Sequence, residues 1–251
     1  MIVMGILNVT PDSFADGGRH NDYEAAVKRG LEMIAEGVDI IDVGGESTKP
    51  GAERVPEVEE LNRVIPIIKA LAKYGVKISI DTMRASTAQA AIQAGAQIVN
   101  DVSGGLADPE MLKTVAALKV PYIAMHWRGH SKDMNSRAVY GDVVKEVIAE
   151  LQQRIDSALE AGISKNNLII DPGIGFAKDA QHNWDIIDSL DEFTALGYPV
   201  LIGASRKRFL GGDNPDDREK ATIELTKRLA GTGIWGVRVH TVAPHKEVLS
   251  A

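Results

Sequence analysis

Eight apolar runs along the chain close on polar residues: Asn8, Asp42, Asp81, Asn100-Asp101, His126, Asp171, Ser205 and His240. Asn, Asp and Ser are ordinary turn formers, so any one of them reads first as the end of a strand. The same pattern at every run reads as a rim that carries a ligand. Arg238-Val239-His240 alternates, which puts Arg238 and His240 on one side of a strand, an arrangement suited to an anion. Gly203-Ala204-Ser205-Arg206-Lys207-Arg208 places three consecutive cations directly after a buried run. The paired glycines of Gly44-Gly45-Glu46-Ser47-Thr48-Lys49-Pro50-Gly51 suit a backbone that approaches a ligand closely, and Asp171-Pro172-Gly173-Ile174-Gly175-Phe176 again joins an acid to glycines. The scattered histidines, among them His126, His130, His182 and His245, form no i, i+4 pair around a glutamate. A hard cation held through one Asn or Asp plus substrate phosphates is compatible with these residues. There is no Walker loop, and no GxGxxG follows a strand.

These residues need a scaffold that gathers strand ends. Nearly continuous apolar runs predict strands near 2–7, 38–43, 76–80, 97–100, 120–125, 167–170, 199–203 and 235–239. Helical periodicity lies between them. Tyr23, Ala26, Val27, Leu31 and Ile34 share a face over 22–36, and Val58, Leu61, Ile65, Ile68 and Ala72 share one over 57–73, where Pro66 should kink or tighten the helix. Asp108-Pro109-Glu110 reads as an N-cap with proline at the first helical position, and 141–161 carries an apolar stripe through Val144, Val147, Leu151, Ile155 and Leu159. About eight βα units in a chain of this length predict an α/β fold, a single-domain (β/α)8 TIM barrel over residues 1–251 with its chemistry at the C-terminal strand ends. An open doubly wound sheet is the alternative.

Composition excludes whole classes. The 251 residues hold 28 Lys and Arg against 35 Asp and Glu, a formal charge of −7 that disfavours nonspecific nucleic-acid binding. The absence of cysteine excludes disulfides, thiol nucleophiles and cysteine-bound metals. No apolar run approaches a membrane span and the first residues lack a basic signal-peptide region, so a cytoplasmic protein without nucleic-acid or membrane partners is expected.

Motifs spread over the whole chain carry a resemblance. Gly5-Ile6-Leu7-Asn8-Val9-Thr10-Pro11-Asp12-Ser13-Phe14, Asp42-Val43-Gly44-Gly45-Glu46-Ser47-Thr48 and Ser79-Ile80-Asp81-Thr82 come first, followed by Asn100-Asp101-Val102-Ser103-Gly104-Gly105 and Asp171-Pro172-Gly173. Ser205-Arg206-Lys207 and Arg238-Val239-His240 complete the series. In this order they resemble the bacterial dihydropteroate synthases of folate biosynthesis, most closely the actinobacterial branch. The resemblance implies a pterin-binding barrel that joins 6-hydroxymethyl-7,8-dihydropterin diphosphate to 4-aminobenzoate, giving 7,8-dihydropteroate and diphosphate. It implies catalytic roles for Asp81, Asp171, Lys207, Arg238 and His240, and a pterin site of Asp81, Asn100, Met125, Asp171, Phe176, Gly203 and Lys207. Asn8, Lys49, Arg238 and His240 would hold the diphosphate, with Asn8 on Mg2+, and Phe14, Thr48, Pro50, Ser205 and Lys207 the aminobenzoate. A homodimer, inhibition by sulfonamides and a dissociative, SN1-like displacement are implied as well.

Three positions depart from the pattern: Lys49 stands where the family usually has Arg, Thr241 where it usually has Asp, and no short leader precedes the first strand. A pterin-dependent methyltransferase domain shares the carboxylates and Asn but has no need of Ser205-Arg206-Lys207 with the Thr48 and Pro50 loop. A non-catalytic pterin-binding paralogue would have lost the Asp-Pro-Gly and Ser-Arg-Lys motifs, which are intact. Residues 12–18 and 46–54 are expected to be mobile without ligand. Lys49, Arg206, Lys207, Arg238 and His240 together predict a small cationic mouth on an acidic body.

Overall fold

The computed structural model describes residues 1–9, 18–47, 51, 54–130 and 134–250. Eight parallel strands form one sheet: β1 (Ile2–Asn8), β2 (Ile40–Gly44), β3 (Lys77–Asp81), β4 (Ile98–Asp101), β5 (Tyr122–Met125), β6 (Leu168–Asp171), β7 (Leu201–Ile202) and β8 (Gly236–Val239). Outside them lie α1 (Gly18–Ala35), α2 (Glu57–Leu71), α3 (Ala85–Ala94), α4 (Met111–Leu118) and α5 (Val143–Glu160). They are followed by α6 (Ala180–Asp188), α7 (Leu190–Thr194), α8 (Glu219–Leu229) and α9 (Ala243–Ser250). The strand order runs from β6 down to β1 and on through β8 to β7. A bridge between Ile170 and Val200, with Ile170 N donating to Pro199 O at 2.9 Å, joins the two end strands. The sheet is thus a closed (β/α)8 barrel, not an open doubly wound sheet.

Alternation along each strand sorts the residues into two sets. Val3, Leu7, Ile41, Val43, Ile78, Ile80, Val99 and Ile170 belong to the large apolar cluster shared with the helices. Met4, Ile40, Ile98, Ile123, Ile169 and Leu201 form a second, separate cluster inside the barrel, with Ile2 and Trp235 packed against it. Two residues further along the same inward faces come Asp42, Asn100, Met125, Asp171 and Gly203. The lower barrel is therefore a dry apolar layer, and the layer above it is polar.

Local details differ from the sequence pattern for physical reasons. The seventh strand is shorter than 199–203 because Pro199 has no N–H to pair and the chain turns off at Gly203. α2 runs unbroken through Pro66, and its buried face is Glu60, Val64, Ile67, Ile68 and Leu71. Val58, expected in the core, is 68% exposed. Glu60 misled the pattern: it is buried because it accepts from Thr82 Oγ1 at 2.6 Å and pairs with Arg84. Asp108 starts the turn that leads into α4: its Oδ1 accepts from Glu110 N at 3.0 Å and its O from Met111 N at 3.1 Å. Its Oδ2 also accepts from Ala85 N, the first residue of α3, at 2.8 Å, and the regular helix begins at Met111 rather than at Pro109.

Candidate active site

The strand register places the polar residues side by side. Asn8 is aligned with Gly44, Gly44 with Asp81, and Asp81 with Asn100, a continuous row across four strands. Met125 is aligned with Asp171 on the far side. The same alternation separates neighbours that looked equivalent in sequence. Asn100 is inward, while Asp101 accepts from Ser103 N, Ser103 Oγ, Gly105 N and Tyr122 Oη at 2.6–2.8 Å and so builds the turn after β4. His126 likewise lies off the inward face, with Nε2 2.8 Å from Glu150 Oε2 of α5.

Arg238 organises the row. Its Nε donates to Asp42 Oδ2 and its Nη2 to Asp81 Oδ2, both at 2.6 Å. Asn100 Nδ2 donates to the same Asp42 oxygen at 3.0 Å. Asp42 is fully buried, and its Oδ1 has no hydrogen-bond partner among the described residues. Burial pushes Asp81 up, to about 7, against the pull of Arg238, and the nearby Asp42 carboxylate adds to the rise. Asp42, named in the sequence only as one of the polar strand ends, was given no role toward substrate there. Its position two residues before Gly44 on an alternating strand was the available signal.

The opposite wall is built on β5, β6 and β7. Asp171 Oδ1 accepts from Gly173 N at 2.7 Å, and burial raises its pKa, opposed by that bond and by Lys207. Gly173 has φ 71°, and a Cβ there would stand 2.5 Å from His126 O, so only glycine fits. Met83, Val102 and Met125 form a small apolar cluster with Ala107 and Phe176 packed against it. Lys207 Nζ lies 4.6 Å from the Phe176 ring centroid and donates to Ile174 O. Burial pushes Lys207 down, to about 8, with Asp171 opposing. Gly203 faces the same space, where an added Cβ would stand 3.7 Å from Asp171 Oδ2.

Ser205 and His240 form a second small unit. Ser205 Oγ accepts from His240 N at 3.2 Å and lies 2.9 Å from His240 Nδ1. Burial, with Arg238 and Arg206 nearby, pushes His240 down to about 3, so the ring is neutral near pH 7. Arg206 turns outward: its Nε donates to Glu219 Oε2 at 2.6 Å and its Nη1 pairs with Asp216 at 3.2 Å. Thr241, one of the departures, donates to Glu219 Oε1.

The expected cationic mouth is only partly present among the described residues. Lys207 keeps its charge near pH 7 and donates to a backbone carbonyl. Arg238 is paired with Asp42 and Asp81, Arg206 with Glu219 and Asp216, and His240 is neutral. The two arginine charges are compensated by carboxylates of the protein, which the motif positions did not show. Phe14, Thr48, Lys49 and Pro50 lie outside the described residues, as does most of the two segments expected to be mobile. No group of three His, Asp or Glu among the described residues could hold a metal, and no helix among them is long and apolar enough to cross a membrane.

Residues 4–240 match the family described as pterin binding enzyme. Over 257 aligned residues the chain is 51% identical to the dihydropteroate synthase of Mycobacterium leprae, covering 98% of this chain and 90% of that protein. The Xanthomonas albilineans dihydropteroate synthase with 4-aminobenzoic acid superimposes with a TM-score of 0.93 at 44% identity, over 99% of this chain and 90% of that one. The same organism's enzyme in complex with 7,8-dihydropteroate gives a TM-score of 0.90 at 41% identity, over 99% and 91%.

Proposed function

The chain belongs to the family of pterin-binding enzymes, and on that premise we infer that it catalyses the dihydropteroate synthase reaction. It joins 6-hydroxymethyl-7,8-dihydropterin diphosphate to 4-aminobenzoate, forming a C–N bond and releasing diphosphate. The observation that carries this reading is the inward polar layer, where buried Asp81, Asn100 and Asp171 share the barrel mouth with the apolar Met125–Phe176 wall. A fused pterin ring needs both features, N–H acceptors for its edge and flat apolar surface for its faces.

In this reading Asp81 and Asp171 accept the ring N–H donors, and Asn100 and Lys207 supply the complementary polarity. Arg238 is fixed by Asp42 and Asp81, which leaves its Nη1 without a partner among the described residues and free to meet the departing diphosphate. His240, fixed by Ser205, presents Nε2–H to the same anion as a neutral donor. Lys207 stands between Asp171 and the Phe176 ring, where both substrates would pass. Diphosphate leaves first, and Asp81 and Asp171 stabilise the electron-poor methylene that the aminobenzoate amine then attacks. Phe14, Thr48, Pro50 and Ser205 complete the aminobenzoate site and Lys49 the diphosphate site in this reading.

The residues present fit a diphosphate-borne Mg2+ better than a resident metal. Asn8 carries an amide oxygen at the end of β1, next to the space left open by Gly44, where an added Cβ would stand 3.5 Å from Asn8 Oδ1. One oxygen donor suits Mg2+, which keeps waters and phosphate oxygens as its other ligands. When bound it supplies charge neutralisation at the leaving group.

A homodimer and cytoplasmic residence belong to the same proposal. The diphosphate substrate is an anion that does not cross a bilayer unaided, which supports a cytoplasmic site.

The test is direct. Purified protein with Mg2+, the pterin diphosphate and 4-aminobenzoate is expected to form dihydropteroate. Pterin binding without product would replace this reading with that of a non-catalytic binder.

A further inference from the structure

The segment between β6 and α6 carries Asp171, Gly173 and Phe176 on a strained backbone. Gly173 and Gly175 have φ of 71° and 77°, and Ala177, which has a side chain, has φ 48°. Such a conformation costs an L-residue energy and persists only where the surroundings over-determine it. Tyr140 Oη contributes by donating to Ala177 O at 2.9 Å. The larger hold is Lys178, which is only 8% exposed. Its Nζ lies 2.9 Å from His126 Nδ1 and 3.1 Å from both Gly173 O and Phe176 O. An ammonium has three donors and no acceptor, and three acceptors face it. The His126 tautomer agrees, because Nε2 donates to Glu150 Oε2 at 2.8 Å and Nδ1 keeps its lone pair.

We propose that Lys178 is a positioning residue for this reaction: its ammonium, seated on acceptors from the ends of β5 and β6, clasps residues 173–176 and so fixes the Asp171–Phe176 wall and the Lys207 contact upon it. The inference rests on the reading of that wall as the pterin pocket.

The clasp responds to pH. The charged and titratable groups around Lys178 are His126 and Arg128 after β5, Glu150 of α5, Asp171 of β6 and Lys207 after β7. Burial pushes Lys178 down, to about 7, with Asp171 opposing and Lys207 and Arg128 adding to the fall. His126 is neutral, held down at about 4 by burial and by Lys178. A neutral amine brings two hydrogens to three acceptors, so one bond of the clasp is lost as pH rises through about 7.

The experiment measures calorimetric binding of 6-hydroxymethyl-7,8-dihydropterin at pH 6 and pH 8.5 to wild type, K178M and K178R, with turnover and thermal melting alongside. Wild type is expected to bind more weakly at pH 8.5; Asp81 and Lys207 also titrate in this range and shape the profile beside Lys178. K178M is expected to bind about tenfold more weakly than wild type at pH 6 and to show a smaller pH step. K178R keeps its charge at both pH values and is expected to show the same reduced step. Wild-type affinity in K178M with a step as large as that of wild type overturns the proposal. Should K178M fail to fold, a pH-independent wild type, or a K178R whose step equals that of wild type, overturns it instead. A wild type that shows the step yet makes no dihydropteroate overturns the assigned reaction and leaves the clasp standing. A wild type that makes product beside variants with unchanged binding overturns the clasp alone.

Discussion

Arg238 Nη2 and Asp81 Oδ2 lie 2.6 Å apart although their strands are far apart in sequence, and the same guanidinium reaches Asp42 through Nε, also at 2.6 Å. The cation is thus the counter-charge for two buried carboxylates before any substrate arrives. Removing it strands both. Arg238→Met is expected to lose turnover and about 3–5 kcal/mol of stability, the usual cost of breaking a buried pair. Urea denaturation measures this; unchanged stability would mean that the Arg238 contacts contribute nothing net to the fold.

Asp81 also sets a pH signature. Its folded pKa is raised, to about 7, from an ordinary value of 3.8. A carboxylate raised in this way contributes stability that is complete below the unfolded value and is lost as pH rises through the folded one. The unfolding free energy of wild type minus that of Asp81→Asn should therefore fall between about pH 4 and pH 7. A difference that stays flat over that window would remove the assignment.

Lys207 contacts Ile174 O and the Phe176 ring, and burial holds its ammonium near 8. Lys207→Ala should retain its circular-dichroism spectrum and melting point within a few degrees and lose turnover by about 100-fold or more, as expected for a charged group at the reacting centre. Near-normal kinetics would take Lys207 out of the site. In the wild type, kcat/KM should decline as pH rises through about 8, where this lysine loses its proton.

His240 should not titrate near neutrality. Ser205 Oγ stands 2.9 Å from its Nδ1, and burial with the nearby arginines pushes its pKa to about 3. Ring nitrogen chemical shifts measured from pH 5 to pH 8 are expected to show one Nε2-protonated tautomer throughout. A midpoint near 6.5 would contradict the arrangement, and Ser205→Ala is expected to release the tautomer preference while the fold persists.

The order of bond breaking is open to isotope labelling. If diphosphate leaves before the amine attacks, pterin diphosphate labelled in the bridging oxygen should scramble its label on the enzyme without aminobenzoate. Recovery of unscrambled substrate after many turnover times would count against a dissociative route.

Much of this site was legible in the sequence because a barrel puts chemistry at strand ends, and Asp81, Asn100, Asp171 and His240 end strands visibly. What was not legible depends on pairing across long sequence separations. Asp42 read as one polar strand end among eight, and its bond to Arg238, 196 positions away, leaves no local signal. The apolar stripe over 57–73 passed over Glu60 for the same reason, since its burial depends on Arg84 and Thr82. Lys178 carried no signal either. A lysine after a glycine-rich turn suggests solvent until its three acceptors are seen.

The dry layer of Met4, Ile40, Ile98, Ile123, Ile169 and Leu201 lies two residues below the polar one on strands whose side chains alternate. Inserting or deleting one residue within a strand would turn Asp81, Asn100 or Asp171 toward the helices and an apolar neighbour into the mouth. Change of ligand preference by drift is therefore confined to replacements at fixed length in the strands. Length variation is tolerable in the connections that follow them, and related chains should differ in size there.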